Sequence, residues 1–196
     1  TADLIIRDTV QWLERAVIGL NLCPFAKGVQ VKNQIHYAVA TSDDVEELRH
    51  LLRAELQALV AMPVETRETT LVILPNCLAD FLDFNDFLAE ADALLDELGL
   101  GGTLQIASFH PQYQFAGTHA DDVTNFTNRS PYPTLHLLRE ESIDRAVEVF
   151  PDAELIFERN IATLQALGTQ GWADLRVGAQ PCASGVEHQA HIKEVR

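Results

Sequence analysis

Cysteine is scarce in this chain and poorly placed for cross-linking. Cys23, Cys77 and Cys182 are odd in number, widely spaced, and include no Cys-x-x-Cys pair. That pattern argues against a disulfide framework and against a four-thiolate zinc site. Long apolar runs are missing as well: none approaches the roughly 18 residues that cross a bilayer. The opening TADLIIRDTVQWLERA carries acids and lacks the charged-then-apolar layout of a secretion signal, so the chain reads as soluble and cytoplasmic. Basic residues are outnumbered, with 14 Lys and Arg against 29 Asp and Glu and a formal charge of −15. No basic face is available to displace counterions, which disfavours nucleic acid and an anionic membrane surface as partners. There is no Gly-x-Gly-x-x-Gly, no Gly-Lys-Ser/Thr phosphate loop and no His-Glu-x-x-His. No nucleotide-cofactor motif is therefore present, and the cofactor is left unknown. Internal repeats and low-complexity stretches are also lacking.

What is present is enough apolar sequence, 47% of 196 residues, to bury the core of one domain. The chain is expected to form a single domain over residues 1–175, with a Gly/Ala/Gln-rich, poorly ordered tail from 176 to 196. Ile5, Trp12, Leu13, Val17 and Leu20 recur at helical spacing behind Asp3, and Asn21 and Pro24 mark the exit. Residues 29–40 read as one or two strands. Ser42 predicts the cap of a helix over 43–60, with Glu46 and Glu47 in its first turn. Thr69 to Leu74 is a β-branched run suited to a strand buried on both faces. Asp80 predicts the start of a helix over 80–98, ended by Gly99, and Leu104 to Phe109 reads as a third strand. Pro133-Thr134 predicts a helix running towards Phe150. Pro151 would break it, Asp152 would cap a further helix, and Gly168 and Gly171 would end that one.

Strand, helix, strand, helix, strand is the rhythm of an α/β fold, here a βαβαβ core with a mainly parallel sheet and additional helices at both ends. An α+β sandwich is the alternative. Residues 41–100 hold 14 acids against 3 bases, a net of −11, so the two acidic helices are expected to lie apart.

The densest collection of reactive side chains is Ser108–Glu140, which holds three of the seven histidines. Its first two thirds show no periodicity, yet Phe109, Tyr113, Phe115, Phe126 and Tyr132 are residues that pack. An ordered, site-forming loop is the natural reading. It starts where a strand ends, at the edge where α/β sheets bind ligands.

The strings NLCPFAKG (21–28), DFNDFL (83–88), SFHPQYQFAGT (108–118) and TNRSPYPTLHLLRE (127–140) resemble an uncharacterised bacterial family, domain of unknown function 1415, which has relatives in plants. The resemblance spans about residues 3–175 and implies no activity, so the chemistry rests on the residues themselves.

On the predicted helix, His136, Arg139 and Glu140 fall at i, i+3 and i+4 and share one face. With Arg129 nearby, two guanidinium groups suit a small anionic molecule, or else they only brace the helix and loop. Asn128, Tyr113, Thr118 and Lys27 are further candidates for binding it. His110 and His136 are candidate acid/base groups, and Cys23 a candidate nucleophile if a histidine lies beside it. Cys23 follows a helix C-terminus, whose dipole raises a thiol pKa, so a small buried residue in a turn is the plainer role. His110, His119 and His136 are the metal ligands to consider, although their spacing fits no template. Asp121 and Asp122 could join them.

The expectation is an enzyme of small-molecule metabolism, performing hydrolysis or group transfer on an anionic substrate. A non-catalytic ligand-binding or regulatory domain is the alternative, and a metal-dependent hydrolase the third reading. Oligomeric state has no signature in the sequence.

Overall fold

A computed structural model describes residues 1–149 and 155–179. Helix α1 (Ala2–Trp12) continues without a break into a wider-wound turn, Leu13–Ile18, and Thr1 rather than Asp3 stands at its N-cap. Asn21 then takes a left-handed conformation, with φ 54°, that turns the chain away from the helix. A short helix α2 (Ala26–Val31) precedes strand β1 (Ile35–Val39). The segment read as strand from residue 29 therefore begins as helix.

Helix α3 (Val45–Ala61) is capped by Asp44, whose carboxylate accepts from the Glu46 N–H at 2.8 Å. Ser42, expected to be the cap, sits two residues before it and accepts from the Asp44 N–H at 3.1 Å. Leu48, Leu52, Leu56 and Leu59 are buried along one face of α3, as 3.6-residue periodicity requires. Strand β2 (Thr69–Ile73) is buried at every position, in keeping with its β-branched run. Helix α4 (Phe81–Glu97) starts where Asp80 accepts from the Leu82 and Asp83 N–H groups. Gly99, at φ 66°, makes the turn that ends it. Strand β3 (Leu104–Phe109) follows.

The chain then departs from a mainly parallel sheet. Residues expected to continue as helix form strand β4 (Thr134–Arg139), and helix α5 (Glu140–Val149) begins only after it. Strand β4 inserts between β2 and β3, giving the order β1-β2-β4-β3. Only β1 and β2 pair in parallel; β2–β4 and β4–β3 are antiparallel. The first three strands still point the same way, as the βαβαβ rhythm implies. The last of them never touches β2, because β4 lies between. The result is an α/β fold on a mixed, mostly antiparallel sheet. In TLHLLR the period is two: Leu135 and Leu137 are fully buried on the face towards α3 and α4, and His136 turns to the other.

Helices α3 and α4 cover one sheet face side by side, contrary to the expectation that charge would separate them. Arg49 bridges to Glu90 at 3.5 Å and Arg53 to Glu97 at 2.8 Å, so the arginines of α3 offset the acids where the helices meet. The opposite face is covered by Trp12, Leu13, Ala16 and Val17, with Ile35, Phe109 and Val177 against them. Val177 is buried, so packing extends past the boundary expected at 175. The rest of the expected tail, residues 180–196, lies outside the described residues, as do the predicted breaker Pro151 and cap Asp152. Helix α6 (Ile156–Asp174) runs through Gly171 but kinks at Gly168, which has φ 67°. Among the described residues no helix is long and apolar enough to cross a membrane.

Candidate functional site: an apolar cavity behind the central strand

The loop between β3 and β4 is held by its own polar side chains. His110 is fully buried between Phe81 and Phe84, with ring centroids at 5.3 and 5.1 Å. Its Nδ1 accepts from the Gln112 N–H at 3.0 Å, so Nε2 carries the proton and donates to the Leu78 carbonyl at 3.2 Å. Burial lowers the pKa of this imidazole, with the Leu78 contact acting weakly the other way. Neutral and satisfied at both nitrogens, His110 ties the loop to the start of α4.

Asn125, also fully buried, is the hub of the loop. Its Oδ1 accepts from the Phe115 N–H and lies 2.9 Å from Thr118 Oγ1, while Nδ2 donates to the His119 carbonyl at 2.8 Å. Asn128 donates to the Ser108 carbonyl at 3.1 Å. Arg129 donates to the carbonyls of Tyr113 and Ala120, and its guanidinium lies over the Phe126 ring at 4.7 Å. Tyr113 packs between Phe81 and Phe115. The side chains read as a ligand-binding crowd are thus joined to one another and to the loop backbone.

Across the sheet lies a cavity of about 220 Å³, bounded by the α1 extension, α2, β2, β4 and α5. Trp12, Val17, Phe109 and Ile143 make much of its wall, and the polar groups are few: Cys23, Glu68, Thr69, His136, Arg139 and Ser142. His136 stands near its middle because β4 pairs that residue with Leu71 on one side and Ala107 on the other. Its ring nitrogens have no hydrogen-bond partner among the described residues. The surface it keeps open faces the cavity. Enclosure by protein pulls its pKa down to about 4, so the imidazole is neutral at pH 7.

Arg139 borders the same cavity, but its guanidinium reaches the other way. Nη2 lies 2.6, 2.8 and 3.0 Å from the carbonyls of Leu59, Met62 and Arg67, which closes the C-terminal end of α3. Its Nε is buried and has no partner among the described residues. Glu140, no longer on a shared helical face with His136, opens α5.

Cys23 lines the cavity beside α2. Burial raises its thiol pKa, and the Phe25 and Ala26 N–H groups lower it by less. Lys27 is exposed on α2 and is not part of the wall. Of the candidates named from sequence, the fold therefore brings together Cys23, His136 and the stem of Arg139. It leaves His110, Tyr113, Thr118, Asn128 and Arg129 in the loop framework. His110, Arg129, His136 and Arg139 do not share one pocket: His110 packs against α4, Arg129 is held within the loop, and strand spacing sends His136 and Arg139 to opposite faces of β4. The three imidazoles considered for metal are apart too: His110 faces α4, His119 is exposed on the loop, and His136 faces the cavity. Among the described residues no three His, Cys, Asp or Glu side chains gather as a metal site.

Comparison with known families places residues 4–174 in the one described as "Protein of unknown function (DUF1415)". The chain belongs to this family. No curated protein and no solved structure matches it.

In this family member the cavity wall was only partly visible in sequence. Ile143, Ala146 and Val147 fall at i, i+3 and i+4 on α5 and form its apolar stripe over the cavity. Trp12, Val29 and Ile35 reach it from three separate elements, and nothing local in sequence marks them as one surface.

Proposed function

We propose that this family member binds a small, mainly apolar molecule in the cavity behind β4. The observation that carries the reading is His136, a neutral imidazole without a hydrogen-bond partner among the described residues, set in a mainly apolar wall. Small-molecule sites have this composition: apolar surface for affinity, and a few polar groups to orient the ligand. The size also supports it, since cavities of about 150 Å³ already take up benzene, against about 220 Å³ here. Helix α5 buries none of its side chains, so that wall can part from the sheet at little expense in packing to admit a ligand.

Titration calorimetry with benzene and phenol tests this reading, supported by the shift of the Trp12 indole N–H resonance. Uptake of either compound should disappear in Ala146→Trp, which fills the cavity. If neither compound binds, or if Ala146→Trp binds as well as the parent, the proposal fails.

A catalytic reading has one observation in its favour: Cys23 and His136 line the same cavity. A neutral imidazole can accept the thiol proton as sulfur attacks a bound carbonyl carbon, with the carbonyl π pair moving to oxygen. The raised thiol pKa places the resting group in its protonated, weakly nucleophilic form, so proton removal by His136 is required. Phenol occupancy should then slow alkylation of Cys23 by iodoacetamide and leave Cys77 unchanged. Equal rates at Cys23 with and without phenol would count against a shared site. The anionic substrate expected from Arg129 and Arg139 has less support, because both guanidinium groups already donate to backbone carbonyls.

A further inference from the structure

Resting on the cavity reading, we infer the chemical class of its ligand: an apolar ring or chain carrying one uncharged hydroxyl, held by hydrogen bonding to His136, with carboxylates and phosphates excluded. Three features of the wall lead there.

The first is the unmet capacity of the imidazole. His136 presents one donor and one acceptor, and no described residue engages either. A buried polar group left unpaired is destabilising, so a ligand that supplies the partner is favoured over one that cannot. A hydroxyl both donates and accepts, and so pairs with either tautomer of the ring.

The second is the state of the one cation in the wall. The Arg139 Nη2 hydrogens are directed at three carbonyls at the end of α3, where the helix dipole is negative, and Nε is buried away from the cavity surface. The Glu68 carboxylate shares the wall with this arginine. An entering anion would lose its hydration, meet a guanidinium whose Nη2 is committed to the end of α3 and whose Nε is out of reach, and face a carboxylate of like sign.

The third is the layout along β4. Phe109 and Trp12, ring to ring at 5.2 Å, border the cavity where Thr134 begins the strand. Glu68, Arg139 and Ser142 lie at the other end, with His136 between. A ring seated against Trp12 and Phe109 would carry its hydroxyl towards His136.

The test compares benzene, phenol and benzoate by titration calorimetry against the full chain and against His136→Leu. Phenol should bind the parent about tenfold more tightly than benzene, the worth of one net hydrogen bond. Benzoate should bind more weakly than benzene. In His136→Leu the phenol preference should vanish while benzene uptake persists, which separates loss of the anchor from loss of the fold. Equal affinity for phenol and benzene in the parent would overturn this inference and leave the cavity reading standing. Benzoate binding most tightly would overturn it in favour of an anion site. Failure of all three to bind would remove the cavity reading itself.

Discussion

Replacing Arg139 by methionine separates a structural role for this residue from a ligand-binding one. Methionine keeps much of the apolar stem but removes the guanidinium that closes the end of α3. Nη2 carries two hydrogens directed among the carbonyls of Leu59, Met62 and Arg67, so about two charge-assisted bonds are lost rather than three. Bonds of this kind contribute roughly 1.5–3 kcal/mol each, and a cation at a helix C-terminus adds about 0.3–1 kcal/mol. One of the three contacts is exposed to solvent, which lowers the sum to about 2–4 kcal/mol. With a urea dependence of about 2 kcal/mol per molar for a domain of this size, the unfolding midpoint should fall by about 1–2 M. Arg139→Lys retains the charge but not the planar fork and should fall by about half as much. A midpoint for Arg139→Met within about 0.3 M of the parent would refute the capping argument and return Arg139 to the candidates for anion binding.

Asn125→Ala removes the hub of the β3–β4 loop and leaves the Phe115 N–H and the His119 carbonyl unpaired, so urea unfolding should show a loss of about 2–3 kcal/mol. A loss below about 0.5 kcal/mol would mean that the loop is held by its aromatic contacts instead. The second expectation concerns acid. His136 has a folded pKa of about 4, against about 6.5 when unfolded, so the unfolded chain binds the proton more readily. Its contribution is fully present above pH 6.5 and is lost as pH falls towards 4. Between pH 7 and 4.5 the parent should lose about 2–3 kcal/mol more than His136→Leu, measured by urea unfolding at both values. Parallel losses in the two proteins would show that the imidazole is not enclosed.

Local patterning carried much of the fold. Asp80 and the Phe84, Phe87, Ala91 and Leu94 stripe announced α4, and the TTLVIL run announced a strand buried on both faces. Residues 134–139 misled because Leu135 and Leu138 fit a helical stripe while Leu135 and Leu137 fit a strand, and six residues are too few to decide between the periods. That single choice governed the site. At helical spacing His136, Arg139 and Glu140 converge; at strand spacing His136 and Arg139 emerge on opposite faces, one towards the cavity and the other towards the end of α3. The loop was visible as a polar, aromatic segment, but the same asparagines, threonines and arginine serve to bind a ligand or to hold a backbone. Only their partners distinguish the two.

By itself, the amino-acid sequence determined the family, the α/β class, the order of α3, β2, α4 and β3, the cap of α4, and the apolar faces that build the core. These follow from periodicity and from side chains acting on backbone within a few residues. Tertiary structure alone decided that β4 enters between β2 and β3, that Arg139 turns to α3, and that Trp12, Cys23, His136 and Ile143 surround one cavity. Those outcomes depend on pairings between segments as much as 131 residues apart, from Trp12 to Ile143. No local propensity encodes such a pairing; it is selected by the apolar surface the whole chain can bury together.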